Sequence, residues 1–256
     1  MVRITLVACL LMLLSACKQS EPQHPTPLIN NYVFFDAFEY MPHSKIISKQ
    51  TIIGSDQRII NTNADGFLTL IETKEVTKTH QFSEDDKITE SKMIIDYQAA
   101  KTIMTNSDDN QLPSNFDMQF DNHNNISKLE SLDQRMTWLG TYDDQNRLIK
   151  ITRTTNPSLM TSIITIAYDK QQIQKITSDI LWEQQLLLKQ TKQFFYDEQQ
   201  RLNKIIINTR KVMDKSSDPT IECSFYDYNE NGDWTKSYCL KAKQNHTHFT
   251  LRKITY

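Results

Sequence analysis

This 256-residue sequence predicts an all-β fold, an antiparallel meander of repeated β-hairpins in a curved or sandwiched sheet. Three observations carry that expectation. From Tyr32 onward the chain runs in short stretches rich in Ile, Thr, Val, Phe and Tyr, broken by clusters of Asp, Asn and Gln, which is strand-and-turn chemistry. An aromatic residue followed by aspartate recurs at Phe120-Asp121, Tyr142-Asp143, Tyr168-Asp169, Tyr196-Asp197 and Tyr226-Asp227, at separations of 22, 26, 28 and 30 residues. Cys223 and Cys239 lie eight residues either side of Asn231, in a stretch centred on the hairpin signal NENG.

At the amino terminus, Met1 and Arg3 precede an apolar run from Ile4 to Leu14 interrupted only by Thr5. A membrane-spanning helix needs about 20 apolar residues, so this run has the shape of a cleaved export signal, residues 1–16. It ends in Leu14-Ser15-Ala16-Cys17, which resembles the lipobox of bacterial lipoproteins. The resemblance implies diacylglyceryl transfer to Cys17, cleavage between Ala16 and Cys17, and acylation of the new amino terminus. Lys18, where an aspartate would retain a lipoprotein in the inner membrane, implies the outer membrane. Two or more acyl chains anchor stably, at about 0.8 kcal/mol per buried methylene.

Residues 18–31, KQSEPQHPTPLINN, hold three of the seven prolines. With the lipidated Cys17 they predict an extended tether over 17–31, leaving a single domain over 32–256. A formal charge of −2, from 29 Lys+Arg against 31 Asp+Glu, gives no basic footprint for nucleic acid. Mean hydropathy is −0.55, and no later apolar run is long enough for a second membrane helix.

Within the domain each aromatic-Asp step is followed by a polar turn and an apolar residue: Ile126, Leu148, Ile173, Leu202 and Trp234. In four units a further apolar residue stands three places on, at Leu129, Ile151, Ile176 and Ile205. Each unit has room for two strands and two turns. NADGFLTLI around Gly66 and FSEDDKITE at Phe82 read as worn earlier copies. With four glycines in the whole chain, most turns must rely on Asn and Asp. The stretch ILWEQQLLLKQTKQ, 180–193, is rich in helix formers. Its place between two Tyr-Asp turns predicts instead a hairpin with its tip near Glu183–Gln185.

The stretches YDDQNRL and YDEQQRL resemble the YD repeat of the RHS family, whose core reads Tyr-Asp-x-x-Gly-Arg-Leu. The closing YDYNENGDWTK and LRKITY are similar to an ending found in many exported bacterial proteins with such repeats. The likeness covers residues 116–256 and implies a hairpin unit. The toxin-enclosing cage of RHS proteins is not implied, because the hairpins are too few. The sequence departs from the pattern where Gln145-Asn146 and Gln199-Gln200 replace the glycine, where Ile173 lacks a preceding arginine, and where Asp233 stands for asparagine. Each recurring residue type has structural work in a hairpin. Asp143, Asp169, Asp197 and Asp227 accept backbone N–H bonds within their turns. Tyr142, Tyr168, Tyr196 and Tyr226 pack with Leu148, Leu202 and Trp234 on neighbouring units, and Gly232 serves the last turn. Arg147 and Arg201 lay their stems over adjacent aromatic rings.

Cysteines symmetric about a hairpin turn face each other with Cβ atoms about 4.5–5.5 Å apart. A Cys223–Cys239 disulfide stapling the last hairpin is therefore predicted, contributing about 3 kcal/mol. The absence of C-x-x-C spacing argues against a redox or metal pair.

The remaining motifs complete no catalytic or metal-binding pattern. DYNENG opens like a calcium loop, but Tyr238 stands where the twelfth-position glutamate belongs. His246 and His248 share a strand face without a third zinc ligand nearby. The acidic clusters at 83–86, 107–110 and 142–144 fit solvated turns better than paired glycosidase carboxylates. Trp138, Trp182 and Trp234 fit the covered face of a sheet better than a sugar- or protein-binding face. No catalytic residue, metal ligand or cofactor is expected.

Polar residues on both alternating faces suggest a sheet that is partly single-layered or offers one broad surface. The functional expectation is a non-enzymatic outer-membrane lipoprotein, held to the bilayer through Cys17, that binds an envelope protein or serves as a structural module. An inhibitor or immunity-type protein that masks a toxin, and a glycan-active hydrolase using turn carboxylates, are the alternatives.

Overall fold

The computed structural model describes residues 25–77, 87–107, 114–212, 218–242 and 247–256. The export signal, the lipobox with Ala16 and Cys17, the copy at Phe82, most of the clusters at 83–86 and 107–110, and His246 lie outside the described residues.

The strands follow one another as β1 (Lys49–Ile53), β2 (Asp56–Thr62), β3 (Leu68–Thr77) and β4 (Lys87–Asp96). Then come β5 (Lys101–Asn106), β6 (Ser114–Phe120), β7 (Ile126–Ser131) and β8 (Met136–Tyr142). The third group is β9 (Leu148–Thr155), β10 (Met160–Asp169), β11 (Gln172–Trp182) and β12 (Gln185–Tyr196). The last is β13 (Leu202–Lys211), β14 (Ile221–Tyr228), β15 (Trp234–Lys241) and β16 (Thr247–Thr255). Each pairs antiparallel with its sequence neighbours, and β1 also pairs with β16. The predicted meander of hairpins is present, but it closes into a 16-stranded barrel where a curved or sandwiched sheet was expected. Closure leaves no edge strand, and so removes the exposed N–H and C=O rows that an open sheet must protect.

The register sorts side chains onto two walls. One inward rung runs Leu129, Trp138, Arg153, Ser162, Ile180, Leu188 across β7 to β12. Ile60, Phe116, Leu129, Leu148, Ile151 and Ile173 are fully buried in a single core. Outward positions carry charge on most strands, with ion pairs Lys74–Glu90 at 2.7 Å, Lys128–Glu130 at 2.8 Å and Lys189–Asp179 at 3.4 Å. The inner face is buried around the core and half-buried toward the far end of β10–β12, so closure into a barrel replaces the expected partly single-layered sheet.

The Glu183–Gln185 expectation holds: β11 and β12 form a hairpin with Glu183 and Gln184 at its tip, both at positive φ. The helix propensity of 180–193 gives way to cross-strand pairing.

Among the described residues, one α-helix stands outside the all-β expectation. α1 (Thr26–Phe34) occupies the last part of the stretch expected to be an extended tether, and every residue from Leu28 to Phe34 is buried. Proline suits the first turn of a helix, where its missing N–H costs nothing, so Pro25 and Pro27 start α1 rather than prevent it. The sequence TPLINNYVF has weak intrinsic propensity; burial on all sides holds it helical. Tyr32 and Phe34 are essentially inaccessible, and burying a side chain of that size contributes about 1.5–3 kcal/mol. After α1 the chain makes a 3₁₀ turn at Phe38–Tyr40 and returns to β1, so residues 26–44 form a plug inside one mouth of the barrel.

Candidate functional site: the plugged rim

The turns entering β3, β5, β7, β9, β11, β13 and β15 all fall on one rim, because the strands alternate in direction. At two of them the Tyr-Asp unit works as the sequence predicts. Asp143 Oδ1 accepts the N–H groups of Gln145 and Arg147 at 3.0 and 2.9 Å, and Oδ2 accepts Arg147 Nε at 2.8 Å. Asp197 repeats this with Gln199, Arg201 and Arg201 Nε at 3.0, 2.9 and 2.7 Å. Asp121 accepts from His123 and Asn125 in the same way. Partial burial opposes ionisation of Asp143 and Asp197, but the hydrogen bonds and charge of the following arginine outweigh it. Both carboxyls therefore titrate below the usual carboxylate range.

The tyrosines link units. Tyr142, Tyr168, Tyr196 and Tyr228 donate their hydroxyls to the carbonyls of Ile126, Leu148, Ile173 and Leu202, each at 2.8–2.9 Å. Burial pushes the first three hydroxyls well above the ordinary tyrosine value, so they remain neutral donors. The strand register slips by one residue just before Tyr142, Tyr168 and Tyr196, a bulge that re-aims each ring. Arg147 lies 4.8 Å over Tyr168 and Arg201 3.9 Å over Tyr228, so each arginine caps the ring of the following unit.

Two expectations are corrected here. In the last copy the working pair is Tyr228-Asn229, not Tyr226-Asp227: Asn229 Oδ1 accepts from Asn231 and Asp233 at 3.0 and 3.1 Å. Tyr226 is exposed, and Asp227 pairs with Lys236 on the outer wall at 2.5 Å. Asp169 sits in a tighter turn, with Lys170 at positive φ, and no such backbone bond to its carboxylate is found among the described residues. Gly232, at φ 81°, closes the last turn against the ring of His43, where a Cβ would come within 2.3 Å. Asn63 supplies the turn around Gly66, accepting from Asp65 and Phe67 at 3.0 and 2.9 Å, as a worn copy should.

The disulfide Cys223–Cys239 is present, between directly paired residues of β14 and β15. Trp138 and Trp234 are core residues: Trp138 packs near Phe34, and Trp234 packs on Phe225 and Tyr40. Trp182, 51% exposed, sits beside the Glu183 turn on the opposite rim. His248 is exposed on β16, paired with Cys239, and no group of three or more His, Cys, Asp or Glu gathers among the described residues.

The sequence reading missed the residues that seat the plug. Asn30 Nδ2 donates to Asn125 Oδ1 and the Asn146 carbonyl at 3.0 and 2.9 Å, while its Oδ1 accepts Leu148 N–H at 2.8 Å. Asn31 donates to the Tyr97 hydroxyl at 2.6 Å and accepts Leu68 N–H at 3.0 Å. Three wall cations receive the rest. Arg153 donates to the Phe34 carbonyl at 3.0 Å, where the helix C-terminus concentrates partial negative charge. Lys192 lies 3.6 Å from Asp36 and 3.9 Å from Glu39; the charge of Glu39 foremost raises its pKa against the opposing burial. Arg252 bonds the Tyr40 carbonyl at 2.8 Å and Gln50 Oε1 at 2.9 Å, under the Trp234 ring at 4.8 Å. Arg252 did carry a sequence signal: it is the arginine of LRKITY, whose Tyr256 hydroxyl donates to Asp233 at 2.6 Å. The amide pair inside the apolar LINNYVF was the signal for Asn30 and Asn31.

The plug does not fill the mouth completely. A cavity of about 290 Å³ lies between its returning segment, Phe38 to His43, and the turns at 169–173 and 228–234. A second, about 350 Å³, lies between α1 and the turns at 63–67 and 120–126, with Tyr97 and Tyr142.

No family model and no curated protein matches the chain. Solved structures do. A porin-like protein from Bacteroides uniformis is 10% identical with a TM-score of 0.52, over 82% of this chain and 98% of that one. A porin-like protein from Bacteroides vulgatus is 9% identical over 81% and 97% of the two chains, with a TM-score of 0.33. The TcdB2-TccC3-Cdc42 structure is 11% identical over 81% of this chain and 12% of that one, with a TM-score of 0.39. At this identity the first likeness shows a shared fold and says nothing of activity.

Proposed function

We propose that this chain is a lipid-anchored, non-enzymatic module of the bacterial cell envelope, whose self-filled barrel holds a rim of turns ready for a binding partner. The observation that carries this is the chemistry of the two walls. A barrel that spans a membrane turns an apolar band to lipid, and barrels of 16 strands commonly enclose water. Here the inward wall is the hydrophobic core, the mouth is plugged by α1, and charged residues stud the outward wall. Exposed apolar side chains such as Leu139, Phe195, Leu240 and Phe249 lie among these charges, and the mixed outer wall favours a barrel that stands beside a bilayer over one that spans it.

The lipobox-like LSAC supports an anchor at Cys17. From there to Thr26 the chain reaches about 30 Å at most, at about 3.3–3.6 Å per residue. Since α1 enters at the plugged rim, that rim would face the lipid. The well-placed rim carboxylates, Asp121, Asp143 and Asp197, are committed to their own turns. That favours binding over carboxylate catalysis.

The test is a chain beginning at Lys18. It is expected to stay folded and monodisperse without detergent and to open no channels in planar bilayers. A requirement for detergent, or stepwise conductance, would overturn the reading. In cells the full chain should fractionate with outer membranes, and Cys17→Ala should release it; persistence in the membrane would remove the anchor.

A further inference from the structure

We propose that the cavity between α1 and the turns at 63–67 and 120–126 is a binding site for a neutral saccharide. This rests on the binding-module reading above and names the ligand class at its rim. The cavity, about 350 Å³, falls within the range of small-ligand pockets.

Its lining has two kinds of surface. Phe67, Tyr97 and Phe120 line it with aromatic rings, Phe67 and Tyr97 packed 5.6 Å apart, and Phe120 is 37% exposed although it is a large apolar side chain. A pyranose presents an apolar C–H face that such rings cover, while its hydroxyls need partners that both donate and accept. The polar side of the mouth supplies them. Among the described residues no hydrogen bond engages the Asn124 side chain or the Asn63 amide nitrogen, and the Asp65 carboxylate is exposed and has no partner. An amide gives two N–H donors and a carbonyl acceptor in one plane, and a carboxylate accepts from two hydroxyls.

Charge narrows the class further. Among the described residues Asp65 is the only charged one lining this cavity, so phosphate and other anions are disfavoured. The floor is already organised: Asn30 donates to Asn125 Oδ1, Asn125 donates to Asn146 Oδ1, and Asn31 is held between the Tyr97 hydroxyl and the Leu68 N–H. A ligand would therefore meet a fixed surface and lose little to ordering the site. The cavity on the other side of the plug differs, being lined by Glu39, Asp169, Lys170 and Asp233.

The experiment titrates the chain beginning at Lys18 with maltose, cellobiose, lactose and chitobiose, and with tri-alanine as a peptide control, by isothermal calorimetry and ligand-observed NMR. At least one disaccharide is expected to bind saturably with a Kd on the order of 1 mM or tighter. Phe120→Ala and Asp65→Asn, both at exposed positions, should each weaken it about tenfold without lowering the melting temperature appreciably. Saturable binding that ignores both substitutions would place the site elsewhere and overturn the proposal. So would binding of tri-alanine alone, or of none of the probes. Recovery of a stoichiometric envelope protein by the same chain, with no saccharide bound, would sink this proposal and leave the binding-module reading standing.

Discussion

Arg153 donates to the carbonyl oxygen of Phe34 across 3.0 Å, and its guanidinium lies 4.1 Å over the Trp138 ring. One wall side chain thus closes the end of the helix and covers the aromatic floor beneath it. Truncating it leaves a buried helix carbonyl unpaired and a void beside Trp138. Arg153→Ala is expected to cost about 2–4 kcal/mol, lowering the melting temperature by roughly 5–15 °C for a domain of this size. Thermal unfolding followed by circular dichroism measures it; an unchanged midpoint would mean that the plug is seated by other contacts.

Asn30 satisfies three polar groups at once, on Asn125, Asn146 and Leu148. Asn30→Ala is expected to destabilise by about 2–4 kcal/mol, since each orphaned buried group costs about 1–3 kcal/mol. Hydrogen exchange should show the loss first in residues 26–34 and 121–148, with β11–β13 less affected. Uniform loss over the barrel would show that the plug is not a separable unit.

The Glu183–Gln184 turn holds two side-chain-bearing residues at positive φ, 47° and 67°. A left-handed conformation costs an ordinary L-residue about 1–2 kcal/mol, and Asn-Gly is the favoured pair for such a two-residue hairpin. Glu183→Asn with Gln184→Gly should therefore stabilise by about 1 kcal/mol, raising the urea midpoint with an unchanged m-value. A lower midpoint would argue that this stretch is not a hairpin.

The Cys223–Cys239 bridge closes a separation of 16 residues. Replacing both cysteines by alanine is expected to cost about 3 kcal/mol, mostly by freeing the unfolded chain. Two titratable thiols in the native protein under non-reducing conditions would reject the bridge.

Asp143 and Asp197 are held below the usual carboxylate range by Arg147 and Arg201, against partial burial. A depressed folded-state pKa contributes stability that is present above the unfolded value, about 3.9, and is lost as pH falls through the folded one. The melting temperature should thus fall as pH drops from about 5 toward 2. Asp143→Asn with Asp197→Asn should flatten that slope while lowering stability at neutral pH. A slope identical to that of the unsubstituted chain would show that other groups carry the acid sensitivity.

The Tyr-Asp repeat was legible because its physics is local. Asp143 and Asp197 reach N–H groups two and four residues along, within one turn, so the pattern of residues is itself the geometry. The symmetric cysteines were legible for the same reason. The last copy was misplaced by two residues because Tyr226-Asp227 and Tyr228-Asn229 offer the same chemistry side by side, and only the pairing of Tyr228 with Trp234 selects between them.

The sequence by itself determined the strands, the hairpins, the disulfide and the turn chemistry, all of which depend on partners a few residues apart or across one turn. Tertiary structure alone decided that β1 meets β16, that Pro25–Phe34 turns inward as a helix, and that Arg153, Lys192 and Arg252 receive it. Those contacts join residues more than a hundred positions apart, where periodicity carries no register. A proline-bearing segment becomes a helix there because the closed barrel offers it a dry interior with waiting hydrogen-bond partners, a condition that exists only once all 16 strands are in place.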